Sequence, residues 1–177
     1  TRSAIFWNGP DGYSLDRCSR VDTMGAEGVT AGDLDGDGKP VIVFCNTFTG
    51  HAKTSPTLPS YIYFGGPEAD YGVHRRQELP VGGECGDCAV ADFDLDGWND
   101  LAFGKMTGVR VFPGGPAGFS PERHDDLPCF LPCIQVADFN RDGYLDILAL
   151  SHTYDDKPET FAASSRIFWG SPEGFSP

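Results

Sequence analysis

The chain has 177 residues, with 13 Lys+Arg against 26 Asp+Glu and a formal net charge of −13. That balance argues against nucleic-acid binding, which needs clustered Lys and Arg, and no apolar run approaches the roughly 18 residues of a membrane span. With 23 Gly and 14 Pro spread along the chain and 12% aromatics, the composition disfavours a helical bundle and a disordered tail, and favours short strands joined by turns.

In chain order, the first element is Ile5-Phe-Trp-Asn-Gly-Pro10, a β-like aromatic run closed by a turn. It returns as Ile62-Tyr-Phe-Gly-Gly-Pro67, Val111-Phe-Pro-Gly-Gly-Pro116 and Ile167-Phe-Trp-Gly-Ser-Pro172. A second element, a β-like run entering an acidic loop, occurs at Val29–Gly38, Cys88–Gly97 and Ile134–Gly143. The repeated prolines are 57, 49 and 56 residues apart, the period of a four-stranded sheet unit rather than of a helical repeat. Within one unit the predicted strands are Cys88–Ala91, Asp100–Gly104 (Asp146–Leu150 in the next unit), Gly108–Phe112, and an outer edge around Arg123–Leu127. The divisions are 1–27, a partial unit of outer strands, then 28–82, 83–128 and 129–177, the last lacking its outer strand.

Each acidic loop places Asp or Asn at positions 1, 3 and 5 and Gly at 6, so that several hard oxygens face one centre, as Ca2+ requires. The second loop offers Asp92, Asp94, Asp96 and, at position 9, Asp100; the third offers Asp138, Asn140, Asp142 and Asp146. Trp98 and Tyr144 sit at position 7, where a backbone carbonyl ligand is expected. The first loop has Asp33, Asp35 and Asp37, but Lys39 is at position 7 and Val41 at position 9, one anionic ligand fewer. About three calcium ions are therefore expected. An EF-hand is excluded, because position 12 holds Phe44, Phe103 and Ala149 instead of Glu, and the flanks alternate as strands do.

Six cysteines, an even number in a small acidic chain, point to an oxidising compartment. The sequence does not choose among their pairings. The working expectation is two loop-local bridges, Cys85–Cys88 and Cys129–Cys133, with Cys18–Cys45 left over; a zinc site is the rival, and free thiols are the remaining reading. A thioredoxin-type role for Cys85 and Cys88 would need a helix where a strand is predicted. The start at Thr1, without an initiator Met, is expected of a processed chain or a piece of a longer one. The stretch from Thr54 to Ser60 reads as an exposed Pro-rich loop that could also carry O-linked sugar.

Together these elements resemble FG-GAP/VCBS repeats, the blades of integrin-α-type β-propellers. Phe103-Gly104 followed by Gly115-Pro116-Ala117 carries the likeness, with the Asp-x-Asp-x-Asp-Gly-x-x-Asp loop between first and second strands. The chain departs from it at Val41, at Leu150-Ser151 and in the insertion between Asn46 and Ser60. The resemblance implies an all-β fold of propeller-type blades, four-stranded antiparallel sheets, about three with a partial one. It also implies a secreted or cell-surface protein in which calcium is structural and the role is adhesion or ligand binding. Three blades and a fraction are too few to close a ring of at least four. Further chain, a second copy or an end-to-end neighbour is expected to cover the open ends, and head-to-tail self-association by strand addition fits.

The expected function is thus an extracellular, calcium-binding, non-catalytic module whose partners are other chains or further blades. The alternative is a calcium-dependent, lectin-like propeller using Trp7, Trp98, Trp169, Tyr13 and Tyr144 to stack on glycan, with Trp98 exposed in its loop. Catalysis is disfavoured: His51, His74, His124 and His152 are scattered, and no nucleophile elbow or phosphate-binding loop is present.

Overall fold

A computed structural model describes residues 2–48, 57–67, 70–130, 132–151 and 165–177. Among these residues thirteen strands form four antiparallel sheets. The first sheet has β1 (Arg2–Phe6) and β2 (Cys18–Asp22). The second has β3 (Ala26–Gly32), β4 (Val41–Asn46), β5 (Ser60–Tyr63) and β6 (Arg76–Leu79), side by side in chain order. The third repeats this with β7 (Cys85–Ala91), β8 (Asp100–Lys105), β9 (Gly108–Phe112) and β10 (Asp125–Pro128). The fourth has β11 (Pro132–Ala137), β12 (Asp146–Ser151) and β13 (Arg166–Phe168). The architecture is all-β, as the turn-rich sequence predicts, and among the described residues no sheet closes into a barrel. The Pro-rich stretch 54–60 is described only from residue 57, and His51 and His152 lie outside the described residues.

Sheets meet face to face in series, and each hydrophobic core lies between two successive sheets. Val41, Val43, Ile62 and Leu79 of the second sheet pack on Leu101, Phe103 and Phe112 of the third. Ala102, Val109 and Val111 of the third pack on Ile134, Ile147 and Phe168 of the fourth. Val21 of the first sheet packs with Phe44, Tyr61 and Tyr63 of the second. The two-residue alternation of a strand lets one strand serve two cores: Leu101 and Phe103 face back and Ala102 faces forward. Phe103 and Phe112 meet edge to face, with centroids 5.7 Å apart.

Strands β3 and β7 approach closely, and glycines of β3 lie at the contact. A Cβ on Gly28 would lie 2.8 Å from the Gly86 carbonyl oxygen, and one on Gly32 would lie 2.7 Å from Val90. The first strand of the third sheet begins at Cys85, three residues earlier than the sequence suggests. A bulge between Cys85 and Asp87 lies in that extra stretch, where the hydrophobic pattern alone shows no strand. The outer strand is Asp125–Pro128 rather than a segment reaching back to Arg123, since residues 121–123 form a turn.

None of the expected bridges is present in this structure, where all six cysteines are unbridged. Cys85 and Cys88 are both on β7, on either side of the bulge at Gly86. Cys18 is on β2 opposite Phe6, whereas Cys45 is buried against β7. Cys129 is half-buried after β10, and Cys133 is exposed on β11.

Candidate metal loops

The three acidic loops join β3 to β4, β7 to β8 and β11 to β12. They share one hydrogen-bond pattern. The position-1 carboxylate accepts the N–H of the position-6 glycine at 3.0 Å in every case: Asp33 from Gly38, Asp92 from Gly97, Asp138 from Gly143. Position 3 accepts the N–H of position 5, at 3.3 Å for Asp35, 3.1 Å for Asp94 and 3.0 Å for Asn140. Position 5 accepts the N–H of position 7, from Lys39 at 2.8 Å, Trp98 at 2.8 Å and Tyr144 at 2.9 Å. These are Asx turns, so the alternating acid pattern already has a backbone reason. Positions 4 and 6 are left-handed throughout. Position 6 is always Gly, but position 4 is Gly36, Leu95 (φ 61°) or Arg141 (φ 65°).

Carboxylates converge in two loops. One oxygen each from Asp33, Asp35 and Asp37 lies within 4.8 Å of the others, as does one each from Asp92, Asp94 and Asp100. Asp96 stays outside the second group. In the third loop Asp138, Asp142 and Asp146 do not close to that radius, and Asn140 donates from Nδ2 to Asp142 at 2.9 Å. The loop with the poorest ligand pattern in sequence therefore has one of the two tightest clusters. The Lys39 ammonium pairs with Asp37. Together with the Lys39 N–H, it holds the Asp37 carboxyl below its ordinary range.

Fit to a cation is tested by the groups left over once the turns are made. Asp92 Oδ1 is buried without any hydrogen-bond partner, in the loop where Asp94 and Asp100 converge. A buried anionic oxygen without a donor is costly, and a divalent ion is a partner that suits it. Burial pushes the Asp100 carboxyl up to about 6, against the N–H groups of Gly114 and Phe93, with Asp94 and Asp96 adding to the rise. A bound cation would reverse that electrostatic logic. The second loop fits a hard cation best.

Position 9 holds a role that sequence reasoning missed. Asp100 Oδ2 accepts the Phe93 N–H at 2.8 Å and Oδ1 accepts the Gly114 N–H at 2.6 Å. Asp146 does the same with Phe139 at 2.8 Å and Gly170 at 2.9 Å. Each buried carboxylate ties its loop to the exit of the third strand. Gly114 and Gly170 are glycine because a Cβ would fall on the carbonyl oxygens of Asn99 and Leu145. The signal was the glycine repeated at the end of each aromatic run. In the second sheet Gly65 lies against the Pro40 carbonyl, and the Tyr71 hydroxyl donates to that same carbonyl at 2.9 Å. Val41 at position 9 joins the hydrophobic core instead.

The first two loops lie side by side. Asn99 Nδ2 donates to the Asp33 carbonyl at 2.7 Å, and an open cleft there is lined by Asp33, Asp35, Gly36, Gly97 and Trp98. Trp98, expected to be exposed, is half-buried beside Gly36. Trp7 stacks on Tyr71 with centroids 6.4 Å apart and donates from Nε1 to Ser19 Oγ at 2.9 Å. Tyr13 is exposed, and Trp169 and Tyr144 are half-buried. Of the histidines, His74 faces Asp70 at 3.2 Å and His124 faces Asp126 at 3.7 Å, both away from the loops.

No protein-family model matches the chain, and no curated protein matches it.

Proposed function

We propose that the chain is an extracellular, calcium-binding, non-catalytic module built of propeller-type blades, in which ions stiffen the loop ends of stacked sheets that serve adhesion or assembly. The observation that carries this reading is the buried, partnerless Oδ1 of Asp92 in the loop where Asp94 and Asp100 converge. Asp92, Asp94 and Asp100 would hold the ion in the second loop, and Asp33, Asp35 and Asp37 in the first. The bound ion would supply positive charge, neutralising carboxylates that otherwise repel one another. The loop carboxylates hold backbone N–H groups and the two described histidines lie elsewhere, which supports a structural rather than a catalytic reading. Among the described residues no helix is long and apolar enough to cross a membrane. Edge strands β1 and β13 offer the surface to which a strand of another chain would add.

Calcium titration by calorimetry and thermal unfolding tests this reading. Calcium at a hundred times Kd should stabilise the chain by about 2.7 kcal/mol per site, and Asp92→Asn should remove the second loop's share. No binding heat and no shift in Tm would overturn it. Light scattering in calcium and then in EDTA tests assembly: a particle larger than one chain that dissociates in EDTA is expected, and a single chain in both would remove assembly from the proposal.

A further inference from the structure

The second and third sheets meet at three thiols. Cys45 on β4 and Cys85 on β7 are fully buried, and Cys88 on β7 nearly so. Residues three apart on a regular strand face opposite sides. Cys85 and Cys88 do not, because the bulge at Gly86 sets one extra residue against β8 and restores them to one face. All three cysteines therefore enter the core between the two sheets.

Two hydrogen bonds set β4 against β7 on either side of Cys45. Thr47 Oγ1 donates to the Cys85 carbonyl at 2.5 Å, and the Cys88 thiol donates to the Val43 carbonyl at 3.8 Å. Val43 and Thr47 flank Cys45 by two residues each, so Cys45 lies opposite the interval between Cys85 and Cys88. Burial, with the Cys85 and Cys88 thiols beside it, raises the Cys45 thiol well above its ordinary value. The three sulfurs do not form a metal-sized cluster among the described residues.

We propose that Cys45 is the hub of an inter-sheet disulfide, joined to Cys85 or Cys88 one at a time, with the third thiol left free. The oxidant is a small disulfide such as oxidised glutathione. A β7 thiolate attacks it, breaking its S–S bond and releasing one glutathione. The Cys45 thiolate then attacks the mixed disulfide, closing the protein S–S bond and releasing the second glutathione. The two protons lost by the protein thiols reside on the two glutathione thiols, so the exchange balances. Cys45 and Cys85 are fully buried in the closed core, out of reach of an oxidant, so the bridge closes before the sheets have shut. The remaining β7 thiol can attack the bridge and move it along the strand without net oxidation.

The test refolds the full reduced chain in a glutathione redox buffer, alkylates free thiols, cleaves before Asp87 to separate Cys85 from Cys88, and maps the peptides by mass spectrometry. The Cys45 peptide should be linked to one β7 peptide, with the other β7 cysteine alkylated. Cys85→Ala and Cys88→Ala should each keep a link to the remaining β7 cysteine. Cys45→Ala should leave both alkylated. The wild-type map decides the matter even if a variant fails to fold. Cys45 found alkylated, Cys45 linked to Cys18, Cys129 or Cys133, or Cys85 closed on Cys88 would each overturn the proposal.

Discussion

Replacing Asp146 by Asn tests the clip at position 9. The carboxylate is fully buried, with one backbone N–H on each oxygen, from Phe139 at 2.8 Å and from Gly170 at 2.9 Å. Asn keeps one acceptor and turns an NH2 group toward the other N–H. One buried donor then has no partner, at a cost of about 1–3 kcal/mol, and the surviving bond falls from charge-assisted to neutral, losing about 1 kcal/mol. Part of this is offset because a neutral amide is cheaper to bury than a carboxylate. A net loss of about 2 kcal/mol is expected, a large share of the roughly 5–15 kcal/mol that holds a domain folded. The assay is urea unfolding in EDTA, where no ion contributes. Asp142→Asn is the control: that side chain is exposed, and an Asn oxygen can still accept the Tyr144 N–H, so the loss should stay below about 0.5 kcal/mol. Equal losses for the two variants in EDTA would refute the clip.

Gly114→Ala should destabilise by about 2 kcal/mol or more in urea, because the new Cβ meets the Asn99 backbone, which cannot rotate away. Leu95→Gly should stabilise by up to about 1 kcal/mol, since Leu95 is 53% exposed at φ 61° and loses little burial when the left-handed strain is relieved; a lower Tm would contradict this. Asp126 bonds Arg110 Nε at 2.8 Å and Nη2 at 2.6 Å, and the Arg110 guanidinium lowers its carboxyl to about 2. Its stabilisation is present above the ordinary carboxylate pKa near 4 and is lost as pH falls through about 2. Asp126 is 48% exposed, so solvent screening keeps the effect near 1 kcal/mol. Asp126→Asn should therefore cost about that much at pH 6 and almost nothing at pH 2, measured by urea midpoints.

The strands around the loops were legible because their residues alternate and their turns repeat. β8 and β9 follow from the runs at Asp100–Gly104 and Gly108–Phe112, within one residue at each end. The start of β7 was hidden, because Gly86 and Asp87 look like turn residues and a bulge leaves no mark in the hydrophobic pattern. In the loops, spacing identified which side chains share a turn but not how tightly they close. Lys39 and Val41 suggested a weak first loop, yet Asp33, Asp35 and Asp37 converge there, whereas the fuller third loop stays more open. Position 9 read as one more cation ligand. Its tie to Gly114 or Gly170 spans the length of a hairpin, and such a distant contact leaves only a repeated glycine in the sequence.

Because β8 sends Leu101 and Phe103 to one core and Ala102 to the next, the third sheet has no interior of its own. Its stability is shared with both neighbours, which makes the chain a nearest-neighbour array whose members melt together only as far as their interfaces couple them. Substitutions on one strand then become directional probes. Enlarging Ala102 should loosen amide-exchange protection toward β11–β13 first, whereas trimming Leu101 should loosen it toward β3–β6, and the order of loss along the chain would measure how far a disturbance travels from sheet to sheet.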